Sequence, residues 1–346
     1  MAEYGYNKGI GKLEVIQMMK IAIDAMSGDL GSSIVVKAVQ AFLKQFNDTE
    51  LYVCGKKEEL TELEGLNHVQ IIDSRDVISM NDSIMTIRRK KEASMYKAVN
   101  LCKEEVCEAV VSAGSTGGFY ASAMFFLKRI DGVDKCGLLS TIPTKNGKGV
   151  CMCDMGANAE NTASQLNDFA VMGTCFLEAV KGVKNPKVAL LNIGAEEKKG
   201  NEMHIEAYQL LKANPNINFV GNIEGREILE GEVDLIVTDG FSGNIALKTI
   251  EGSGKVMMEM LKEVLMSNTR SKIAAMLAKP ALRILKNKMD SNQVGGAFMA
   301  GFEKPIIKAH GSSNEVAFEN AMKMARSMVK ENSIEKMKAG LIKNEA

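Results

Sequence analysis

Four short segments bring glycine, hydroxyl, amide and charged side chains together in an order suited to holding an anion. They are Ser112-Ala113-Gly114-Ser115-Thr116-Gly117, Asn192-Ile193-Gly194 running through Glu196-Glu197-Lys198-Lys199-Gly200-Asn201, Asp239-Gly240-Phe241-Ser242-Gly243-Asn244, and His310-Gly311-Ser312-Ser313-Asn314. Each follows a short apolar run and opens a helical pattern. The first backbone N–H groups of a helix have no partner within it, and the helix dipole favours negative charge there. Any one such junction is also an ordinary tight turn with an N-cap. Four together, one with two lysines, point to an oxyanion site. No G-x-x-x-x-G-K-[ST] loop and no G-x-G-x-x-G fingerprint after the first strand is present, which disfavours the common ATPases and NAD enzymes. No G-x-S-x-G elbow or cysteine nucleophile motif occurs either. A phosphate aimed by amides, lysine and asparagine can then be the attacking group itself.

The elements that must position these junctions follow from the apolar runs. Strands are expected at 20–25, 50–55, 69–73, 109–114, 149–156, 187–194, 217–222, 234–240 and 305–311, and helices at 32–46, 92–107, 117–128, 162–181, 201–213, 243–266 and 313–331. Runs such as AVVSA and DLIVTD lack apolar/polar alternation, as strands covered on both faces do. Strand, glycine turn and helix in repeated order predict an α/β fold with a doubly wound, mostly parallel sheet. In such a sheet ligands bind at the carboxyl ends of the strands, where these junctions lie.

The chain has 346 residues, enough for about two domains by length or one large α/β domain with an insertion. The reading taken is a loose leader over 1–18 and one domain over 19–346. Lys plus Arg and Asp plus Glu are both 43, so a generally basic nucleic-acid binder is disfavoured. The balance is uneven: from residue 251 onward basic residues exceed acidic ones by six. No apolar run approaches the ~20 residues of a membrane span. The seven cysteines form no C-x-x-C pair and read as reduced, buried thiols of a cytosolic protein. The three histidines show no metal-ligand spacing, so no metal is expected.

The segments IAIDAMSGD (21–29), SAGSTGG (112–118), DMGAN (154–158), LLNIGAEEKKGNE (190–202), FVGNIEGR (219–226), VTDGFSGNIALKTIEG (237–252), VGGA (294–297) and IIKAHGSSN (306–314) closely resemble the bacterial phosphate acyltransferase family, in order from about Met19 to Val329. The resemblance implies a fold like that of phosphate acetyltransferases and isocitrate/isopropylmalate dehydrogenases. It implies conversion of acyl-acyl carrier protein and inorganic phosphate to acyl phosphate, for phosphatidic acid and phospholipid synthesis, with no cofactor. The chain departs from the family pattern at Ser27, where a glycine is usual, and at Phe298-Met299-Ala300.

Such chemistry must bind a dianion, place its oxygen ~3–3.5 Å from the thioester carbon, and stabilise the developing oxyanion. Lys199 matches the family's lysine before Gly-Asn and is the first candidate for that electrostatic role, with Lys198 as its solvated neighbour. Asn201, Asn222 and Asn244 can donate amide N–H bonds, or serve as turn and cap residues, as can Asn158 in DMGAN. Gly114, Gly240 and Gly243 let backbone approach the anion. Ser115, Thr116, Ser242 and Ser312 can bond it or cap their helices. Asp239 and Asp24 can orient a lysine or the attacking group, or brace their own loops. His310 can donate to the carbonyl or protonate the leaving thiolate, or act as a structural hydrogen-bonder.

Residues 256–289 carry apolar side chains at helical spacing: Met257, Met260, Leu261, Val264 and Leu265, then Ile273, Met276, Leu277, Leu282, Ile284 and Leu285. Interruptions are expected near Asn268 and at Pro280. Arg270, Lys272, Lys279, Arg283, Lys286 and Lys288 lie among them, with no acid from 264 to 289. A Met/Leu stripe reads as core or dimer interface. A basic amphipathic hairpin also suits an anionic lipid surface or the acidic carrier protein. The resemblance implies a homodimer, peripheral contact with the inner face of the cell membrane, and a downstream glycerol-3-phosphate acyltransferase. Two alternatives remain: a short-chain phosphate acetyl- or butyryltransferase using coenzyme A, and a non-catalytic membrane scaffold.

Overall fold

A computed structural model describes residues 18–79, 81–288 and 296–341. The expected leader therefore lies, apart from Met18, outside the described residues, and so do the side chains of Ile284, Leu285, Lys286 and Lys288. The strands are β1 (Met19–Asp24), β2 (Thr49–Gly55), β3 (Val69–Asp73), β4 (Ala109–Ser112), β5 (Gly137–Ile142), β6 (Val150–Cys153), β7 (Lys187–Asn192), β8 (Asn218–Glu224), β9 (Leu235–Val237), β10 (Ala297–Ala300) and β11 (Ile306–Lys308). The helices are α1 (Ser32–Leu43), α2 (Ile84–Arg89), α3 (Ser94–Lys103), α4 (Thr116–Phe126), α5 (Ala163–Phe176), α6 (Glu202–Ala213), α7 (Gly240–Met266), α8 (Thr269–Lys288), α9 (Glu315–Lys330) and α10 (Ser333–Leu341). They fall into two compact units, one of residues up to Arg129 together with Phe302–Ile334, the other of Ile130–Gly301 and the residues from Glu335.

The first unit holds five parallel strands in the order β3-β2-β1-β4-β11. β4 is buried along its whole length, as its uninterrupted AVVS run requires. Helices α3 and α9 cover the central strands, and α1 packs on α9. Ile21, Ile23, Leu51, Phe42 and Phe318 fill the core. Parallel pairing puts the carboxyl ends of β1, β4 and β11 in one row, with Asp24 opposite Ser112 and Ser112 opposite Lys308.

The second unit orders its strands β10-β5-β6-β9-β7-β8. β5 runs antiparallel to both β10 and β6, and the remaining pairs are parallel. α5 begins in a capping box between Thr162 and Gln165 and is buried along almost all of its length. The Phe176 and Phe298 rings stack 5.6 Å apart. A core of Ile142, Val150, Met152, Ile223 and Ile236 receives Ala246, Leu247 and Ile250 from one face of α7.

All nine expected strands are present. The sequence reading missed β5 and β10, which are antiparallel to each other; the helix-compatible AFMA run of β10 gives no strand signal. The turn at Asn268 is present, its side chain accepting the Ser271 N–H at 2.9 Å. The expected interruption at Pro280 is corrected: α8 continues through it. The missing N–H leaves only the Met276 carbonyl without its helical partner, and Met276 is exposed to water.

Candidate functional site

In the first unit Asp24 closes β1 and is 1% exposed. Its carboxylate accepts the Ser94 and Ser112 hydroxyls, each at 2.6 Å, and the Ser112 oxygen in turn accepts the Gly114 N–H at 3.0 Å. Asp24 thus holds the 112–116 loop in shape. A Cβ at Gly114 would lie 2.8 Å from the Ser27 Cβ, so the absence of a side chain there lets the 112–116 loop approach the 26–29 loop. Ser115 caps α4 by accepting the Gly118 N–H, while Thr116 and Gly117 are exposed at the helix start. The hydroxyl of Ser27 is buried with no partner among the described residues, and its Cβ faces Gly114.

His310 is exposed. Its Nδ1 accepts the Ser312 N–H at 3.2 Å and lies 2.9 Å from the Ser312 hydroxyl. A backbone N–H only donates, so the neutral ring carries its proton on Nε2 and offers a donor outward. Lys308 precedes this loop and is 7% exposed. Burial lowers its amine to about 8, against the opposing pull of Asp29 and Asp24. Asp29 donates its N–H to the Gly311 carbonyl, tying the 26–29 loop to the 309–313 loop.

In the second unit the carboxyl ends of β6, β9, β7 and β8 carry the other junctions. Asp154 is fully buried. It accepts the N–H groups of Leu138, Gly156, Ala157 and Asn158 and the Asn158 side-chain amide, all at 2.8–3.0 Å. That satisfied carboxylate shapes the 154–158 turn. Asn158 also donates to the Cys136 carbonyl, so its amide is spent internally. The start of α7 lies directly on this turn. A Cβ at Gly240 would meet the Asn158 carbonyl at 2.1 Å, and one at Gly243 the Asp154 carbonyl at 2.0 Å. Gly156, at φ 115°, leaves room for the Asn244 side chain. Asp239 caps α7 by accepting the Ser242 N–H at 2.9 Å.

Asn201 caps α6, its Oδ1 accepting the His204 N–H at 3.1 Å. That bond fixes the amide orientation, so the His204 Nδ1 contact at 2.8 Å to the same oxygen has the ring as donor. The neutral ring therefore has a bare Nε2, 3.9 Å from Asp239 Oδ2. Burial lowers the His204 pKa, and Asp239 opposes the shift. The capped starts of α6 and α7 thus meet through Asn201, His204 and Asp239. Lys199 is exposed on the same loop, with its stem over Gly194 and its carbonyl accepting from Asn192. Asn222 reaches this loop from β8 by donating to the Glu196 carbonyl at 2.8 Å.

The second unit therefore gathers Lys199, Asn201, Asn222, Asp239, Gly240, Ser242, Gly243, Asn244 and Asn158 at one sheet end. The first gathers Asp24, Gly114, Ser115, Thr116, His310 and Ser312. The sequence reading missed three residues. Asp154 stands in the quoted DMGAN segment, Lys308 is the charged residue inside the apolar PIIKA run, and His204 follows Asn201 at cap spacing. All seven cysteines are buried, and none is in a disulfide among the described residues. Burial raises the Cys107 thiol to about 12 and Cys175 to about 11, so neither supplies a thiolate near neutral pH.

The α7–α8 hairpin turns apolar side chains outward. Met257, Met260, Val264, Ile273, Met276 and Leu277 are 52–79% exposed. Arg270, Lys272, Lys279 and Arg283 are exposed beside them, while Leu282 is half-buried. Among the described residues no helix is long and apolar enough to cross a membrane.

The sequence profile described as "Fatty acid synthesis protein" matches residues 19–336. Phosphate acyltransferases of Bacillus thuringiensis (strain Al Hakam) and Bacillus cereus (strain AH187) are each 44% identical over 313 residues, covering 90% of this chain and 94% of theirs. A phosphotransacetylase from Streptococcus pyogenes shares the fold with a TM-score of 0.61 at 17% identity, over 91% of this chain and 94% of its own. EutD phosphotransacetylase from Staphylococcus aureus does so at 0.60 and 15%, over 90% and 94%. At these identities the structural likeness speaks for the fold. The profile and the close relatives both span the two units, and the chain belongs to the fatty acid synthesis protein family, among its phosphate acyltransferases.

Proposed function

We propose that this protein transfers the acyl group of acyl-acyl carrier protein to inorganic phosphate, yielding acyl phosphate and free carrier thiol. The observation that carries the reading is the meeting of two capped helix starts, α6 and α7, beside Lys199. Helix starts present unsatisfied N–H groups, and Lys199 adds the full charge a dianion needs.

A phosphate oxygen attacks the thioester carbon, a C–O bond forms, and the C–S bond breaks. The proton of hydrogen phosphate ends on the leaving sulfur. Lys199 and the α6 and α7 N–H groups hold the phosphate, and Asn244 and Asn222 donate to it or orient its loop. Asp239 keeps the α7 start in place. Burial raises the Cys107 and Cys175 thiols too far to supply the thiolate of a covalent acyl intermediate, and direct attack by phosphate needs no such carrier. No metal is assigned to these steps.

The exposed apolar and basic side chains of α8 suit contact with an anionic membrane, where a product destined for phospholipid synthesis is used. A homodimer and a downstream glycerol-3-phosphate acyltransferase belong to the same reading. The test of substrate class is phosphate-dependent thiol release from long-chain acyl-acyl carrier protein beside acetyl-coenzyme A. Preference for the carrier substrate supports the proposal. Preference for acetyl-coenzyme A makes the protein a short-chain phosphotransacylase, and release from neither makes it a scaffold.

A further inference from the structure

The first unit carries a second apolar and basic face, separate in sequence from the hairpin. α2 and α4 pack together. Ile87 of α2 and Phe119, Ser122 and Ala123 of α4 point into the core. The outward side chains are Ile84, 58% exposed, and Met85, 56% exposed, with Met124 and Phe125 each at 39%. Around them stand Arg88, Arg89 and Lys91 from the RRKK run and Lys128 after α4, all exposed. The Arg88 guanidinium lies over the Phe125 ring at 5.4 Å.

The acids flanking α2 are already engaged. Lys90 draws Asp82 at 2.8 Å and Asp76 at 3.7 Å, and Lys97 draws Glu92 at 2.6 Å. Arg88, Arg89, Lys91 and Lys128 have no recorded carboxylate partner among the described residues. The face is thus an apolar floor with an uncompensated cationic rim. That is the complement of a small protein with an acidic helix around an apolar centre.

We propose that the α2–α4 face docks the acidic acyl carrier protein, with Arg88 and Arg89 pairing with its carboxylates and Ile84, Met85 and Phe125 forming the apolar centre. The proposal rests on the carrier-thioester reading above and deepens it. An enzyme that takes its acyl group from a protein must recognise that protein apart from the thioester. Rim arginines do so without touching the chemistry.

The test uses the full chain with Arg88→Glu/Arg89→Glu, and with Arg89→Glu alone, which leaves the Arg88–Phe125 contact in place. Rates are measured with acyl-acyl carrier protein and with the same acyl group on pantetheine. The double variant should raise KM for the carrier substrate about tenfold with kcat kept, and leave the pantetheine substrate unchanged. The single variant should show a smaller rise of the same kind. An unchanged carrier KM, or equal losses with both substrates, overturns the proposal. So does a variant that loses vesicle binding or changes oligomeric state while its carrier kinetics stay intact, since the face then meets lipid or a second copy. Direct titration with holo-acyl carrier protein keeps the two ideas apart. If the unmutated enzyme releases no thiol but binds carrier through Arg88 and Arg89, the reaction is wrong and the docking face stands. If it binds no carrier, the docking face falls.

Discussion

Replacing Lys308 with methionine should change how stability depends on pH, by an amount and with a sign that its position dictates. The ordinary lysine value is 10.5, and burial brings this amine to about 8 although Asp29 and Asp24 pull the other way. The difference of ~2.5 units, at ~1.4 kcal/mol each, is about 3 kcal/mol. In the unfolded chain the amine keeps its proton up to about pH 10.5, whereas in the folded chain it gives it up near 8. Between those values the unfolded state binds more protons, so folding stability rises with pH. Below pH 8 the full cost of burying the charge is present. Urea unfolding of the two proteins from pH 7 to 10.5 isolates this group, since the other titrations are common to both. The stability of the unmutated protein relative to Lys308→Met should rise by about 3 kcal/mol across that window. A flat difference would show that the amine titrates normally, and the placement of Lys308 beneath the 26–29 and 309–313 loops would be wrong.

Ser27→Ala should stabilise the protein by about 1 kcal/mol in the same assay, because it removes a buried hydroxyl with no partner among the described residues; a loss of stability would reveal a partner for that oxygen. Gly243→Ala should cost at least ~3 kcal/mol in thermal unfolding, since its Cβ would meet the Asp154 carbonyl at 2.0 Å. Gly252→Ala, in the same helix with nothing within 4 Å, should stabilise by about 0.5–1 kcal/mol; equal effects of the two would refute the packing of α7 on the 154–158 turn. Changing Ile273, Met276 and Leu277 together to serine should reduce sedimentation with anionic vesicles at least severalfold and leave activity in solution intact. Unchanged sedimentation would remove the membrane role from α8.

Much of this fold is legible in the sequence because buried parallel strands announce themselves. AVVS, VALL and LIVT are short, apolar on both faces and closed by glycine, asparagine or aspartate, and β4, β7 and β9 stand there. β5 and β10 lack that signature. AFMA has the composition of a helix, and only its pairing with β5 makes it a strand. The junction residues are equally visible, because helix starts demand small and capping side chains. Their tertiary partners are not. Nothing local to Asp154 says that it will gather N–H groups from Leu138 and from its own turn. Nothing local to His204 says that its ring will stand between Asn201 and Asp239. Lys308 carries a weak sign, a charge inside an apolar strand, but its depressed basicity comes from burial that only the assembled unit creates. Asn158 shows the converse: at sequence level it is available to a ligand, and the fold commits its amide to Asp154 and the Cys136 carbonyl.

The most direct test of the phosphate-attack account is hydroxylamine trapping during turnover of acyl-acyl carrier protein, with and without inorganic phosphate, in the unmutated enzyme and in Lys199→Ala. The account predicts acyl hydroxamate in step with released thiol, dependent on phosphate, and reduced about 100-fold or more by Lys199→Ala through weaker phosphate use. Thiol release that continues without phosphate, or a Lys199→Ala enzyme with unaltered phosphate dependence, would contradict it.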